Sequence, residues 1–357
     1  VTDIRLNHLT STFNEEETIF KAIRKGDILL HHPFDSFDHV VKLVEEAATD
    51  KKVLAIKQTL YRVSGDSPII KSLIKAANNG KQVTVLVELK ARFDEERNIM
   101  WATSLEDAGC HVIYGLKGLK THCKCLLIVR KESEGIRRYV HLGTGNYNDS
   151  TAKMYTDLSL LTCKEELCVD ASNLFNKLSG FSCYSDWLKL AVAPEYLRDN
   201  FYDYIDNEII NAQKGKKAYI TAKMNSLADQ GMIEKLYEAS QAGVKIKLII
   251  RGICCLKPGV EGLSENIEVY SLVGRFLEHT RIFSFYNNGD NRVFLSSADW
   301  MTRNLNRRVE VLFPVEDTNC RKEVINILDS ALKDTVNLRK LSSEGTYTSI
   351  KSKKNYN

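Results

Sequence analysis

The chain has 357 residues, enough for two ordinary domains, and 43% of them are hydrophobic, which is typical of a globular protein. Its 50 basic and 46 acidic residues leave a formal net charge of only +4, so overall charge does not indicate a protein that binds nucleic acid or a membrane surface. None of the nine cysteines forms a CxxC pair and no His/Cys array has zinc spacing, which argues against a zinc site and favours buried free thiols.

The first half of the chain alternates predicted strands and helices. It opens with Val rather than Met, inside a polar, helix-like segment (NEEETIFKAIRKGD), so we expect the chain to be the C-terminal portion of something longer. Apolar patterns then predict a strand at 53–63, an amphipathic helix at 68–81 that ends at Gly80, and a second strand at 83–89.

A histidine and a lysine stand two residues apart in GLKTHCKCLLIV (118–129), just before an apolar run that predicts a buried strand. Because side chains alternate along a strand, His122 and Lys124 point to one face and Cys123 to the other. A lone His or Lys beside a strand is usually solvated or satisfied locally, so this pair alone is a weak signal. A small-residue turn, HLGTGNYN (141–148), and the predicted strand TDLSLLT follow it.

The second half of the chain repeats this succession from residue 218 onward. Strand, helix, glycine stop and strand recur, and the glycine stops, Gly80 and Gly243, are 163 residues apart. The first strands align at a separation of 166, which matches Lys57-x-Thr59 with Lys223-x-Asn225.

A second histidine motif follows in the second copy. His279-x-Arg281 corresponds to His122-x-Lys124, and the turn LSSADWMTRN (295–304) corresponds to HLGTGNYN. The predicted strand RRVEVLF then places Arg307 and Arg308 where the first copy has Tyr155 and Thr156.

This duplication predicts an α/β fold built from two related lobes, each a mixed sheet flanked by helices, with the active site between them. The boundary is expected in the aromatic and Pro-bearing stretch GFSCYSDWLKLAVAPEY. The predicted segments are a remnant of a preceding linker, two catalytic domains and a polar tail, at 1–12, 13–188, 189–345 and 346–357.

Duplication also makes the two histidines candidates for catalysis. Lobes packed face to face would bring His122 and His279 to one cleft, where one imidazole could attack while the other handles protons. Lys124 and Arg281 would supply fixed positive charge. Such a site suits transfer at phosphorus, because the transition state spreads negative charge over the phosphoryl oxygens.

Several arginines fall at the ends of predicted strands, where α/β folds place ligands. Guanidinium groups grip phosphate oxygens bidentately, although each arginine taken singly is equally well explained as a solvated surface residue. The candidates are Arg62, Arg92, Arg251, Arg307 and Arg308.

The paired His-x-Lys/Arg motifs and the Gly-x-Gly-Asn turn resemble the phospholipase D superfamily, except that Val129 stands where its phospholipases carry an Asp. Longer strings resemble one branch of it, the C-terminal half of the polyphosphate kinases, over roughly residues 12 to 340. These strings are IKQTLYR, VELKARFDEE, GLKTHCK, HLGTGNYN, YTDLSLLT, RFLEHTR and SSADWMTRN. The resemblance implies two phospholipase D-like lobes and reversible transfer of the ATP γ-phosphate to inorganic polyphosphate through a phosphohistidine.

The resemblance also implies roles for individual residues. His122 corresponds to the phosphorylated nucleophile and His279 to the second catalytic histidine, which also contacts ATP phosphate. Tyr155 and Arg251 correspond to nucleotide contacts. From the motifs themselves, we expect Asn146, Arg281 and Arg308 to bind phosphate as well. The family's magnesium lies beside Arg62 and Arg92; an arginine cannot ligate a metal, so we interpret these two as phosphate clamps next to a phosphate-bound Mg²⁺.

Two other functions stay open at this point: a phospholipase D-like phosphodiesterase, and a non-catalytic module that binds polyanions. The expected partners are ATP or ADP and inorganic polyphosphate, with a homo-oligomer in the full-length enzyme and no specific nucleic acid. No stretch approaches eighteen apolar residues, and we expect a cytoplasmic protein or one held peripherally on the inner face of the membrane.

Overall fold

The computed structural model describes residues 17–88, 95–181 and 186–350. The chain divides into two compact units, Val1–Leu190 and Ala191–Asn357. Within the described residues, no helix is both long enough and apolar enough to cross a bilayer.

Unit 1 alternates strands and helices as the sequence predicted. Its helices are α1 (Ile19–Lys25), α2 (Asp38–Thr49), α3 (Pro68–Asn78), α4 (Glu95–Asp107), α5 (Asp149–Ala152) and α6 (Glu165–Leu178). Its strands are β1 (Ile28–His32), β2 (Val53–Leu60), β3 (Gln82–Val87), β4 (His111–Ile113), β5 (Lys120–Thr121), β6 (Lys124–Glu132), β7 (Gly135–Gly143) and β8 (Tyr155–Thr162).

A mixed sheet forms the centre of unit 1, with strand order β1-β8-β7-β6-β2-β3-β4. β2, β3 and β4 run parallel, and the other neighbours in this order pair antiparallel. One hydrophobic core joins this sheet to α1, α2, α3 and α4, and α6 packs against β6 and β7.

Between residues 191 and 350, unit 2 has three helices longer than two turns, α7 (Leu197–Gln213), α8 (Gln230–Gln241) and α10 (Thr318–Lys333), and the short α9 (Thr302–Arg307). Its strands are β9 (Ala191–Val192), β10 (Tyr219–Met224), β11 (Lys245–Ile250), β12 (Ile267–Leu272), β13 (Leu277–Glu278), β14 (Ile282–Phe285), β15 (Arg292–Ser296), β16 (Arg308–Val309), β17 (Val311–Pro314), β18 (Leu338–Leu341) and β19 (Tyr347–Ser349).

The sheet of unit 2 has the order β19-β18-β12-β11-β10-β14-β15-β17-β9. Its core contains apolar residues of this sheet together with residues of α7 and α8, and α10 packs against β14 and β15. Without β18 and β19, the order is that of unit 1 strand for strand, with β10 in the place of β2 and β14 in the place of β6. The predicted duplication is therefore present in the topology.

The corresponding helices α3 and α8 begin and end for the same physical reasons. Ser67 caps α3 by accepting a hydrogen bond from the Ile70 amide, and Asp229 caps α8 by accepting one from the Met232 amide. After the two helices, Gly80 and Gly243 have φ values of +79° and +95°, which a side chain would strain. The predicted glycine stops are thus confirmed.

Strand pairing corrects the register of the repeat. Leu60 is the last residue of β2 to pair with β3, and Met224 is the last of β10 to pair with β11. The first strands are therefore offset by 164 residues and not 166, so that Lys223 occupies the position of Thr59. The sequence alignment was wrong by one side-chain period, because alternation identifies the face of a strand but not the position along it.

Candidate active site

His122 lies just before β6 and is largely buried, with 8% of its surface exposed. Its imidazole meets the ring of Tyr61 edge to face, with centroids 5.0 Å apart and an interplanar angle of 83°. Lys124, which opens β6 and is also buried, donates a hydrogen bond from Nζ to the carbonyl of His122. Both side chains reach the same tyrosine, as expected for residues on one face of a strand.

Tyr61 gathers positive charge beside this motif. Lys120 Nζ, Lys124 Nζ and the Arg62 guanidinium carbon lie 5.3, 5.5 and 5.6 Å from the centre of its ring. These distances are within the range of cation–π attraction. The structure therefore brings two basic residues named from the sequence, Arg62 and Lys124, to one aromatic ring of unit 1. Lys120 joins them there.

His279 in unit 2 is contacted by an arginine, and that arginine is paired with a carboxylate. Arg281 Nη1 donates to the His279 carbonyl at 2.7 Å and lies 3.0 Å from His279 Nε2. Because a guanidinium has only donors, Nε2 must accept in this contact. Arg281 also donates from Nε and Nη2 to the two oxygens of Asp299, at 3.3 and 3.2 Å. Both members of this ion pair are buried.

The ion pair keeps Asp299 ionised. Burial by itself would raise the pKa of this carboxyl, but the charge and hydrogen bonds of Arg281, helped by the Asn225 amide, lower it to about 2. The Asn225 amide donates to Asp299 Oδ1 at 2.7 Å. A buried carboxylate in this state fixes the orientation of the guanidinium that contacts His279.

Arg251 joins the same network from the end of β11. Its Nε donates to Asn225 Oδ1 at 3.0 Å and to the Glu278 carbonyl at 3.1 Å. Within the part of the chain that the structure describes, its two Nη groups make no hydrogen bond or ion pair. Only the Nε of Arg251 is therefore engaged by the described residues.

Glu88 in unit 1 occupies the position of Arg251 in unit 2, at the same separation of 163 residues as the two glycine stops. The Glu88 amide donates to the Leu60 carbonyl, and the Arg251 amide donates to the Met224 carbonyl, at 3.0 and 3.3 Å. The Glu88 carboxylate accepts a hydrogen bond from the Thr121 amide at 2.9 Å. It thus fixes the backbone immediately before His122.

The two small-residue turns are built by the same hydrogen bonds. Thr144 Oγ1 donates to Asp157 and accepts from the Leu158 amide, at 2.6 and 3.0 Å. Ser297 Oγ donates to Glu310 and accepts from the Val311 amide, at 2.5 and 3.1 Å. A Cβ on Gly145 would lie 2.2 Å from an Asp157 oxygen, so this turn requires glycine.

This correspondence pairs Asn146 with Asp299. The Asn148 amide donates to the Asn146 carbonyl, and the Met301 amide donates to the Asp299 carbonyl, both at 2.8 Å. Among the described atoms, the buried Oδ1 of Asn146 has no hydrogen-bond partner. One turn therefore ends in an unsatisfied neutral amide and the other in a paired carboxylate.

The same turns correct a second alignment. Since Leu158 corresponds to Val311, Arg308 corresponds to Tyr155 and not to Thr156. Tyr155 is the first residue of β8, and Arg308 opens β16 with its Nη1 3.8 Å from Glu310. The earlier alignment was wrong by one residue, because the helical turn α9 before Arg308 has no apolar periodicity to anchor it. Arg92 lies outside the described residues.

Histidines without a motif behave as structural groups where the structure describes them as buried. Burial lowers the pKa of His141 to about 3, and its Nδ1 lies 2.7 Å from the Tyr147 hydroxyl. His32 contacts Ser159 and the Asp35 carbonyl, and burial lowers its pKa as well. Imidazoles enclosed in this way cannot reach a ligand.

A divalent cation held by a protein needs several carboxylate, imidazole or thiolate ligands close together. They contain no group of three His, Cys, Asp or Glu side chains that could hold a metal ion. The Asp149 carboxylate near the Arg62 segment is engaged by Ser64 Oγ at 2.5 Å. A Mg²⁺ centre held by protein ligands alone does not fit the described residues.

Sequence reasoning missed three of the residues that organise these motifs: Tyr61, Asn225 and Asp299. Tyr61 stands in the string IKQTLYR next to Arg62, but an aromatic residue after a strand carries no chemical signature by itself. Asp299 stands within the turn LSSADWMTRN, where the sequence alone assigns it no role. The signal that could have identified it is its correspondence with Asn146 in the repeat.

Comparisons with known proteins agree with the duplicated organisation. Residues 18–183 match the family model described as polyphosphate kinase C-terminal domain 1, and residues 190–357 match polyphosphate kinase C-terminal domain 2. A polyphosphate kinase of Halalkalibacterium halodurans is 58% identical over 94% of this chain and 48% of its own length. One from Lactiplantibacillus plantarum is 56% identical over 94% of this chain and 47% of its own. The chain therefore spans about half the length of these relatives.

Solved structures agree with the predicted fold class. The crystal structure of polyphosphate kinase from Porphyromonas gingivalis matches 95% of this chain and 52% of its own, with 39% identity and a TM-score of 0.89. A phosphatidylserine synthase from Haemophilus influenzae matches 88% of this chain and 87% of its own, with 10% identity and a TM-score of 0.56, and that likeness concerns the fold alone. The prediction of an α/β fold with two related lobes, each a mixed sheet flanked by helices, is confirmed.

Proposed function

Because the chain belongs to the polyphosphate kinase family, we propose that it is the catalytic region of an enzyme that transfers the γ-phosphate of ATP to inorganic polyphosphate. The transfer is reversible and proceeds through a phosphohistidine at His122. The chain spans about half of its relatives, so the proposal concerns the activity of the full-length protein.

The observation that carries the proposal is a contact made in both units. In each motif the basic residue two positions after the histidine donates to the carbonyl of that histidine: Lys124 to His122, and Arg281 to His279. A motif that only packed against the core would not need a buried cation in both copies. The contact supports two histidines placed for chemistry and surrounded by positive charge.

The reaction consists of two displacements. A ring nitrogen of neutral His122 forms a bond to the γ-phosphorus, and the bond from that phosphorus to the bridging oxygen breaks, with its electron pair leaving on ADP. The terminal oxygen of polyphosphate then attacks the same phosphorus, and the electron pair of the P–N bond returns to the imidazole. His279 donates a proton or hydrogen bond to the departing oxygen. The overall reaction exchanges one phosphoanhydride bond, in ATP, for another, in polyphosphate, which makes it reversible.

The remaining candidate residues bind phosphate or nucleotide in this proposal. Arg251 supports that role most directly, through the two terminal nitrogens described above. Arg62, Lys124 and Asn146 serve the phosphoryl oxygens beside His122, and Tyr155, Arg308 and Arg92 complete the binding of ATP and polyphosphate. Arg281 is largely committed to Asp299 and His279, so its contribution is mainly to hold that histidine. Mg²⁺ arrives as the counter-ion of the nucleotide phosphates.

The test is phosphorylation of the full-length protein by γ-labelled ATP. We expect an acid-labile, base-stable label at residue 122 that is discharged by ADP or polyphosphate. His122→Gln should abolish the label, whereas His111→Gln, a control at an exposed histidine of β4, should keep it. An acid-stable label, or a label at another residue, contradicts the proposal.

The two alternatives predict other results. A phosphodiesterase would form no label with ATP but would release alcohol from a phosphodiester in a manner that depends on His122. A polyanion-binding module would bind polyphosphate and show neither reaction.

A further inference from the structure

We propose that Tyr61 is a positioning residue for the nucleophile, holding the His122 imidazole edge-on and gathering basic side chains around it for the phosphoryl oxygens. The inference rests on the proposed function of His122, and it assigns to Tyr61 a role that neither a motif nor a charge suggests. Tyr61 is not a catalytic residue in this proposal, because it acts through the side chains that its ring contacts.

Side-chain hydrogen bonds hold the backbone on both sides of the Tyr61 ring. Asn98 Nδ2 donates to the Tyr61 carbonyl and to the Glu88 carbonyl, at 3.0 and 2.9 Å. Just before it, Thr59 Oγ1 donates to the Cys123 carbonyl and accepts from the Cys125 amide, at 2.9 and 3.0 Å. These hydrogen bonds hold the end of β2, which Tyr61 follows, against the start of β6, which His122 precedes.

The ring of Tyr61 limits the orientations that the His122 imidazole can adopt. An edge-to-face arrangement with centroids 5.0 Å apart is within the favourable range for aromatic pairs, and it fixes the plane of the imidazole. Transfer at phosphorus requires the attacking nitrogen in line with the bond that breaks. A displacement of about 1 Å can cost roughly a hundredfold in rate. A ring that limits rotation of His122 thus contributes to the chemical step.

The ring of Tyr61 also contacts three positively charged side chains. Lys120, Lys124 and Arg62 come from three separate positions of the chain and meet at one ring, each between 5.3 and 5.6 Å from its centre. Like charges collected around one ring repel one another, and the negative face of an aromatic ring offsets part of that repulsion. The ring therefore permits a dense positive surface beside the nucleophile.

The experiment compares two substitutions in the full-length protein. Tyr61→Phe keeps the ring and removes the hydroxyl, and we expect kcat within about threefold of wild type. Tyr61→Leu removes the ring, and we expect kcat to fall about 10- to 100-fold while KM for ATP changes by less than about threefold.

The matched control is Phe20→Leu on α1, outside the proposed site. Phe20 also meets an aromatic ring edge-on, Tyr139 at 4.8 Å, and also carries a cation, Arg130 at 5.2 Å. Its substitution should lower the melting temperature with little effect on kcat. The inference is overturned if Tyr61→Leu keeps wild-type kcat, if Tyr61→Phe is equally damaged, or if Phe20→Leu loses as much activity.

A second readout separates this inference from the proposed function. The rate at which diethyl pyrocarbonate modifies His122, measured by peptide mass spectrometry, should rise severalfold in Tyr61→Leu and stay unchanged in Tyr61→Phe, because only the former uncovers the imidazole. This readout needs no turnover, so it tests the contact even if no phosphohistidine forms. Equal rates in all three proteins would overturn the positioning role.

Discussion

The histidine motifs of the two units lie at equivalent places in one topology but are held by different chemistry. In unit 1, His122 contacts an aromatic ring, and the following turn ends in the neutral Asn146. In unit 2, His279 contacts an arginine that is paired with Asp299, the counterpart of Asn146. At the ends of β3 and β11 the charges are reversed, with Glu88 in unit 1 and Arg251 in unit 2.

This difference shows how a duplicated scaffold can divide two tasks. A carboxylate at position 146 would face the phosphoryl group in our proposal and repel it, whereas an amide can donate to it. In unit 2 the carboxylate instead fixes a guanidinium, which directs a donor to His279 Nε2. In our proposal, unit 1 therefore carries the phosphorylated histidine, and unit 2 carries the histidine that assists departure of the leaving group.

The largest expected effect distinguishes the two histidines directly. His122→Gln should lower turnover by at least roughly 10⁴-fold and remove the phosphoenzyme, because the nucleophile itself is lost. Gln is preferred to Ala since His122 is buried against Tyr61. Rapid-quench labelling with γ-labelled ATP measures the intermediate. Wild-type labelling in this variant would assign the nucleophile elsewhere.

His279→Gln should have a smaller effect of a different kind. Loss of a general acid costs about 10²- to 10⁴-fold, so labelling at His122 should be slow but should still occur. The deficit should shrink when the leaving group is made less basic, since such a group needs less protonation. A variant that turns over normally with ATP would contradict the two-histidine mechanism.

Replacing the charged anchor tests the comparison through stability. Asp299→Asn leaves the buried Arg281 without its partner and should lower the free energy of unfolding by about 3–5 kcal/mol. Asn146→Ala at the corresponding position of unit 1 removes an amide whose Oδ1 has no partner in the described structure, and should cost less than about 1 kcal/mol. Urea denaturation of both variants measures the contrast. Equal losses would mean that the two turns are held alike.

Much of this contrast could be predicted from the sequence, because repeated glycine stops, strands and histidine motifs leave periodic signals. The register of the repeat could not. A shift of two residues keeps every side chain of β10 on its face, so only the pairing of Met224 with Ile250 reveals the correct alignment. Tyr61 could not be found either, since its function depends on side chains that meet only after β2 and β6 pair.

Arg251→Lys examines the phosphate-binding side of unit 2. Lysine keeps the charge but cannot present two parallel donors, so kcat/KM for polyphosphate should fall roughly 10- to 100-fold. Wild-type affinity should also weaken steeply with salt, as for any polyanion held by several cations, and the variant should show a similar slope. Arg292→Lys, at an exposed position of β15, is the matched control and should be nearly neutral. Salt-insensitive binding, or an unchanged affinity in Arg251→Lys, would favour a diesterase that grips a single phosphate.

The smallest expected effect is a pH dependence of the free energy of unfolding. It should arise from Asp299 in the turn of unit 2 and have no counterpart at Asn146 in unit 1. The pKa of Asp299 is lowered from 3.8 to about 2, so its ionised form stabilises the folded state fully above about pH 4. That contribution, roughly 2 kcal/mol, is lost as the pH falls toward 2, because the carboxyl must then be protonated in both states. The difference in unfolding free energy between wild type and Asp299→Asn should therefore be constant at neutral pH and shrink by this amount between about pH 4 and pH 2. Subtracting the variant removes the contribution of other carboxylates, such as Asp229, whose pKa is also lowered because Arg198 outweighs its burial. Denaturation curves at several pH values measure the difference, and one that stays constant through this window would show that Asp299 does not anchor Arg281 by charge.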